Sequence, residues 1–224
     1  MSDEVVVITG ANNGLGLGLF RALTGSGKRV VGLDLSVENL PADGAFVCDV
    51  TDSERVRATV ECIIDRWGRI DILVNNACLA VFAPFEDKTL SDTRREFEVN
   101  YFGYVNMISA VLPHMRARGA GVIHNVSSTV GTSGFAGIYG YSSTKGAIDA
   151  LTRTWRSSFG PTASPSTSSS LRSCSRLRLG RSACRPRSWP MLMSSGRSWP
   201  AESAPARQSS RLGSRRPLAR SRRV

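Results

Sequence analysis

Tyr141 and Lys145 lie four residues apart in Tyr-Ser-Ser-Thr-Lys, a spacing that puts a phenol and an ammonium on one face of a helix. A tyrosine with its ordinary pKa of about 10 is a poor base at neutral pH. A neighbouring ammonium favours the phenolate and brings proton transfer toward the working range. Taken alone, such a pair is common and usually structural. Tyr139 offers no substitute, because the residue four further on is Ser143. A second chemical feature is the stretch Thr9-Gly10-Ala11-Asn12-Asn13-Gly14-Leu15-Gly16. Its glycines let the backbone turn tightly and approach a pyrophosphate, while the helix that follows supplies N–H groups and a positive dipole end. The bland reading of this loop is an ordinary turn. Asp34 closes the next apolar run, at the distance expected of a ribose-binding acid. A carboxylate there accepts hydrogen bonds from the adenosine ribose hydroxyls and repels a 2′-phosphate, which favours NAD over NADP. Without the glycine loop, Asp34 would read equally well as a solvated strand-end acid.

These residues require elements to hold them. Residues 5–9 form a short β-branched run, and Leu15, Leu19, Phe20 and Leu23 then repeat with helical period until Gly25 to Gly27. Residues 29–33, 45–48, 70–74 and 122–127 read as further strands. Thr51 or Asp52 caps a helix marked by Val56, Val60, Ile63, Ile64 and Trp67, ending at Gly68. A long helix is expected over about 91–118, kinked or ended by Pro113. A last helix over about 139–155 carries Tyr141 and Lys145. Strands that are near-continuous apolar runs, alternating with helices, imply a parallel, doubly wound α/β sheet of Rossmann type.

Further segments join the set: Asp49-Val50, Asn75-Asn76-Ala77, Asn100 in Val-Asn-Tyr-Phe-Gly, and Ser127-Ser128. With the glycine loop and the Tyr141–Lys145 pair, residues 5–155 resemble the short-chain dehydrogenase/reductase family. In that family a serine stands thirteen positions before the tyrosine, which selects Ser128 over Ser127. The resemblance implies a catalytic set of Asn100, Ser128, Tyr141 and Lys145. It implies a cofactor set of Gly10, Asn12, Asn13, Gly14, Leu15, Gly16, Asp34, Asp49, Val50, Asn76 and Ala77, again with Tyr141 and Lys145. Within it, Asp49-Val50 contacts adenine, Asn76-Ala77 lies beside the cofactor, Lys145 also holds the nicotinamide ribose, and Asn100 positions a water in a proton relay. Ser128 can hydrogen-bond the substrate oxygen as charge develops there. One departure is Cys78, which stands where the family usually has glycine after Asn-Asn-Ala; it reads as a tolerated small residue. His114 and His124 read as surface and strand residues.

The net charge of +11 is unevenly placed. Residues 1–155 hold 14 Lys and Arg against 17 Asp and Glu, a net of −3, whereas residues 156–224 hold 15 Arg and a single acid, Glu202, a net of +14. The tail also holds 19 Ser and 7 of the 10 Pro. It reads either as a disordered basic arm or as a frameshifted remainder. Reading each codon's third base with the first two of the next, residues from Trp155 can spell A-L-E-F-R-A-H-G-I-P-V-N-V-V-V-A-P. That resembles the family's sixth strand running into its prolyl turn, so the C-terminal strands are expected to be missing or disordered and residues 156–224 to be aberrant.

Other classes are set aside. The acidic start lacks the basic region of a signal peptide, and no apolar run approaches the length of a membrane span. Five cysteines without metal-site spacing suit a reduced, cytoplasmic setting, and no metal site is expected. The expected function is an NAD-dependent oxidoreductase interconverting a small-molecule secondary alcohol and ketone, with this chain impaired by its C-terminus. The alternatives are a cofactor-binding protein without turnover, and a basic arm that binds nucleic acid; no specific nucleic-acid partner is expected. By resemblance, the full-length parent is a homotetramer.

Overall fold

The computed structural model describes the backbone over residues 4–158 and 174–179, and side chains as far as residue 154. The chain divides into two compact units, 1–183 and 184–224, and the second lies outside the described residues, as does most of the tail read above as aberrant. In the first unit β1 (Val5–Thr9) leads to α1 (Gly14–Gly25), β2 (Arg29–Asp34), β3 (Ala45–Val47), α2 (Ser53–Trp67) and β4 (Ile72–Asn75). Then come α3 (Leu90–Phe97), a π-helical turn (Glu98–Phe102), α4 (Gly103–Arg118), β5 (Gly121–Val126), α5 (Val130–Ser133), α6 (Tyr139–Ser158) and β6 (Cys174–Leu179).

The sheet order is β3-β2-β1-β4-β5-β6, with β1 to β5 all parallel. This is the doubly wound arrangement expected from the sequence, and the chain reverses direction across the sheet between β1 and β4. Each residue of β1 is buried. Val5 and Val7 pack with Val56, Val60, Ile63, Met107 and Val111 beneath α2 and α4, while Val6 and Ile8 pack with Phe20, Val30 and Leu40 beneath α1. A strand covered on both faces has no reason to alternate polar and apolar residues, which is why its sequence is a continuous run.

Helix ends follow local chemistry. Asp52, rather than Thr51, caps α2: its Oδ1 accepts from the N–H groups of Glu54 and Arg55, at 3.0 and 2.9 Å. Thr89 and Asp92 form a reciprocal capping box on α3. The long helix expected over 91–118 is interrupted at 98–102 by the π-turn and continues through Pro113 to Arg118. Proline therefore neither ends the helix nor marks its irregular point.

The parallel sheet stops at β5, and one further short strand follows α6. The backbone of β6 pairs antiparallel with β5, Cys174 opposite Val126 and Leu179 opposite Gly121. Without it β5 would present a row of unpaired edge groups. The sequence Ser-Arg-Leu-Arg-Leu does carry the period-two alternation of a strand.

Candidate active site

A cleft of about 520 Å³ opens at the carboxyl ends of β1, β2, β4 and β5. Its walls carry Gly10, Asn13, Gly14, Leu15, Asp34, Asp49, Val50, Asn76, Ala77, Ser128, Tyr141 and Lys145, most of the set read from the sequence. Asn12, Gly16 and Asn100 do not line it, and each is buried behind it.

The glycine loop is shaped for close approach. Gly10 has φ 64°, and a Cβ there would lie 2.7 Å from Ala77 Cα. At Gly16 a Cβ would lie 2.0 Å from the carbonyl oxygen of Gly10. Asn76 secures the contact, its Nδ2 donating to the carbonyls of Thr9 and Gly10, both at 3.0 Å. No side chain caps the start of α1, and no acid stands in its first turn. Its N–H groups and dipole therefore face the cleft, an arrangement suited to a pyrophosphate. Asn12 serves its own loop instead, accepting from Asn39 N–H at 2.8 Å and donating to Ser36 Oγ at 3.2 Å. Asp34 Oδ2 accepts from Asn12 N–H at 2.9 Å and its Oδ1 from Leu35 N–H at 2.7 Å, which fixes the carboxylate at the rim. Asp49 is exposed and turns back on Thr51.

Lys145 is 1% exposed. Its Nζ donates to the Val126 carbonyl at 2.8 Å and to Tyr104 Oη at 3.3 Å, and lies 5.5 Å from the centre of the Tyr141 ring. Burial pushes its pKa down, while Cys78 and Asp149 oppose that. Tyr141 departs from the expectation of a lowered phenol. Burial pushes its pKa up, Cys78 adds to the rise, and a hydrogen bond with Ser128 only partly offsets them. Desolvation of the phenolate dominates, and the Lys145 ammonium is itself buried and held by the Val126 carbonyl.

Asn100, read as a relay residue, has its side chain fully engaged. Oδ1 accepts from Leu79 N–H at 2.7 Å, and Nδ2 donates to the Leu79 carbonyl at 2.8 Å and to Thr144 Oγ1 at 3.0 Å. It sits in the π-turn, whose extra residue re-aims it from α3 toward α6. It braces the neighbours of Cys78 and Lys145 rather than reaching the cleft. Sequence reasoning missed Tyr104, one turn after Asn100 and hydrogen-bonded to Val126 O at 3.2 Å, and Thr144. Their spacing from Asn100 and Lys145 is the signal that could have found them. Among the described residues there is no cluster of three or more metal-binding side chains, and no helix is long and apolar enough to cross a membrane.

The family model of the short chain dehydrogenases matches residues 4–163. The chain belongs to this family. It is 37% identical over 150 residues to a 3-ketodihydrosphingosine reductase of Bacteroides thetaiotaomicron, covering 66% of this chain and 56% of that one. It is 38% identical over 160 residues to an L-fucose dehydrogenase of Oryctolagus cuniculus, covering 68% and 56%. A crystal structure of NAD⁺-bound xylitol dehydrogenase superposes with a TM-score of 0.66 at 32% identity, covering 69% of this chain and 64% of that one. The chain thus spans between half and three-fifths of the length of these curated relatives.

Proposed function

We propose that the chain is built as an NAD-dependent oxidoreductase that interconverts a small-molecule secondary alcohol and a ketone. The observation that carries this reading is one cleft in which Tyr141, Ser128 and Lys145 face the glycine loop and Asp34. The cofactor fits the residues present: Gly10 and Gly16 leave no room for a Cβ beside the loop that a dinucleotide would follow. The loop from Gly10 to Gly16, with Asn13, would cradle the pyrophosphate, and Asn12 would hold that loop in shape. Asp34 would take the adenosine ribose, Asp49 and Val50 the adenine, and Asn76, Ala77 and Lys145 the nicotinamide half. The nicotinamide would accept or supply the hydride.

The chain's own residues manage the proton and the oxygen. Burial favours the phenol form of Tyr141, which donates its proton to the carbonyl oxygen in the reducing direction; in the oxidising direction Tyr141 takes the hydroxyl proton as phenolate, after its own proton has passed to solvent. Ser128 hydrogen-bonds the same oxygen as it gains charge. Lys145 holds its place through Val126 and Tyr104. Asn100 acts as a positioning residue for the loop and for α6. The xylitol dehydrogenase and L-fucose dehydrogenase relatives support a nicotinamide cofactor and an alcohol substrate.

Alcohol-dependent NADH absorbance with the purified 224-residue chain tests the reading. Turnover that falls by at least about a thousandfold in Tyr141→Phe, with NAD affinity kept, bears it out. Thermal stabilisation by NAD with no absorbance change would instead fit a cofactor-binding protein without turnover. For residues from about Arg156, we propose that they derive from a shifted reading frame. Gene sequences of related strains that keep one uninterrupted Arg/Ser/Pro-rich frame there would overturn that origin.

A further inference from the structure

Lys88 and Glu96 are the one fully buried ion pair among the described residues, with both side chains 0% exposed and Nζ 2.6 Å from Oε2. Neither belongs to the site set, yet their contacts lead into it from two directions. Glu96 Oε1 accepts from Val81 N–H at 2.8 Å, and Lys88 Nζ donates to the Val81 carbonyl at 3.1 Å. Two residues earlier, Leu79 is held in the same way, through both its N–H and its carbonyl, by Asn100. Glu96 and Asn100 are four apart at the inward side of α3 and the π-turn, so successive helical turns grip alternate peptide groups of the loop that follows Cys78.

The pair's other side meets the start of α6. Gly140 directly precedes Tyr141, and a Cβ on it would lie 2.0 Å from Glu96 Oε2 and 2.9 Å from Lys88 Nζ. Lys88 Nζ also sits 4.9 Å from the centre of the Tyr139 ring, whose hydroxyl lies 3.0 Å from Thr93 Oγ1. The segment immediately before Tyr141 therefore rests on the pair. Stability gives little reason for such an arrangement, since apolar pairs of similar volume commonly replace buried ion pairs at no cost. What an apolar pair lacks is direction.

We propose that Lys88 and Glu96 are a positioning pair, which joins the loop carrying Cys78 to the turn carrying Tyr141 and so fixes where the phenol sits in the cleft. This deepens the proposed function and rests on Tyr141 being its proton-transfer group. The test uses the full chain with the double substitution Lys88→Met/Glu96→Leu, which leaves no unpaired buried charge. Three readouts are taken: the melting temperature, the ¹³Cζ resonance and titration of Tyr141 (assigned by its loss in Tyr141→Phe), and alcohol-dependent NADH formation. The expected result is an unchanged or raised Tm, a displaced Tyr141 resonance and titration midpoint, and kcat down on the order of tenfold or more, with KM for NAD within about twofold. A folded double variant whose Tyr141 resonance and titration match the parent overturns the proposal. Should the double variant not fold, Gly140→Ala keeps both charges and presses a methyl group on the pair. It is expected to displace the Tyr141 resonance, and an unmoved resonance overturns the proposal equally. A parent chain without turnover counts against the proposed function alone, because the tyrosine resonance still decides the role of the pair.

Discussion

Tyr141 is governed by what desolvates it and by Cys78. The sequence pairs the phenol with Lys145 and expects the ammonium to lower it; in three dimensions the ammonium is committed to Val126 and Tyr104, and burial dominates. Cys78 enters as a second ionisable group in the same cleft, raising both Tyr141 and Lys145 when ionised. Replacing it removes that contribution, so Tyr141 in Cys78→Ser titrates at lower pH than in the parent. Tyrosine ¹³Cζ NMR over pH 8–12 measures this, and an unchanged or higher midpoint counts against Cys78 as a determinant. The types and spacing of Tyr141, Lys145, Ser128, Asp34 and the glycines were legible, because their chemistry is local to short motifs. The interaction of Cys78 with Tyr141 and the full engagement of Asn100 were not, because both arise between segments far apart in the chain.

Helices and strands set these positions, and two substitutions test how. Asn100→Ala removes the acceptor and donors that hold Leu79 and Thr144, leaving part-buried peptide groups of the loop without partners. A loss of about 3 kcal/mol in denaturant unfolding is expected, along with weaker NAD binding. At the opposite end of the sheet Asp71 is 8% exposed. Burial would raise its pKa, but bonds from Arg69, from the N–H of Val5 and from Arg118 outweigh it and hold the carboxyl below its usual range. A lowered folded-state pKa means the stabilisation is present above the unfolded value, near 3.9, and is lost as pH falls through the folded one. Asp71→Asn should therefore destabilise the chain by about 2 kcal/mol at pH 7 and make little difference once the parent's own carboxyl is protonated; acid unfolding curves of the two proteins check it. Element types and strand order were legible from apolar period. The π-turn was not, since Glu98 to Phe102 carries no glycine or proline to mark it, and Pro113 drew attention to the wrong place.

For the whole molecule, charge separates two compositions. Residues 1–155 are slightly acidic and contain the cleft, and the basic excess falls entirely in residues 156–224. The overall +11 therefore says little about what the cleft binds. The composition break was legible, but the β6 pairing was hidden, because backbone pairing along an open sheet edge demands little of side chains beyond alternation. The most direct measurement is a calorimetric titration of the full chain, and of Asp34→Ala, with NAD and with NADP. NAD binding at least about tenfold tighter than NADP, a difference of about 1.4 kcal/mol that collapses in Asp34→Ala, is the expected result. Equal affinities, a preference for NADP, or no binding of either would contradict it.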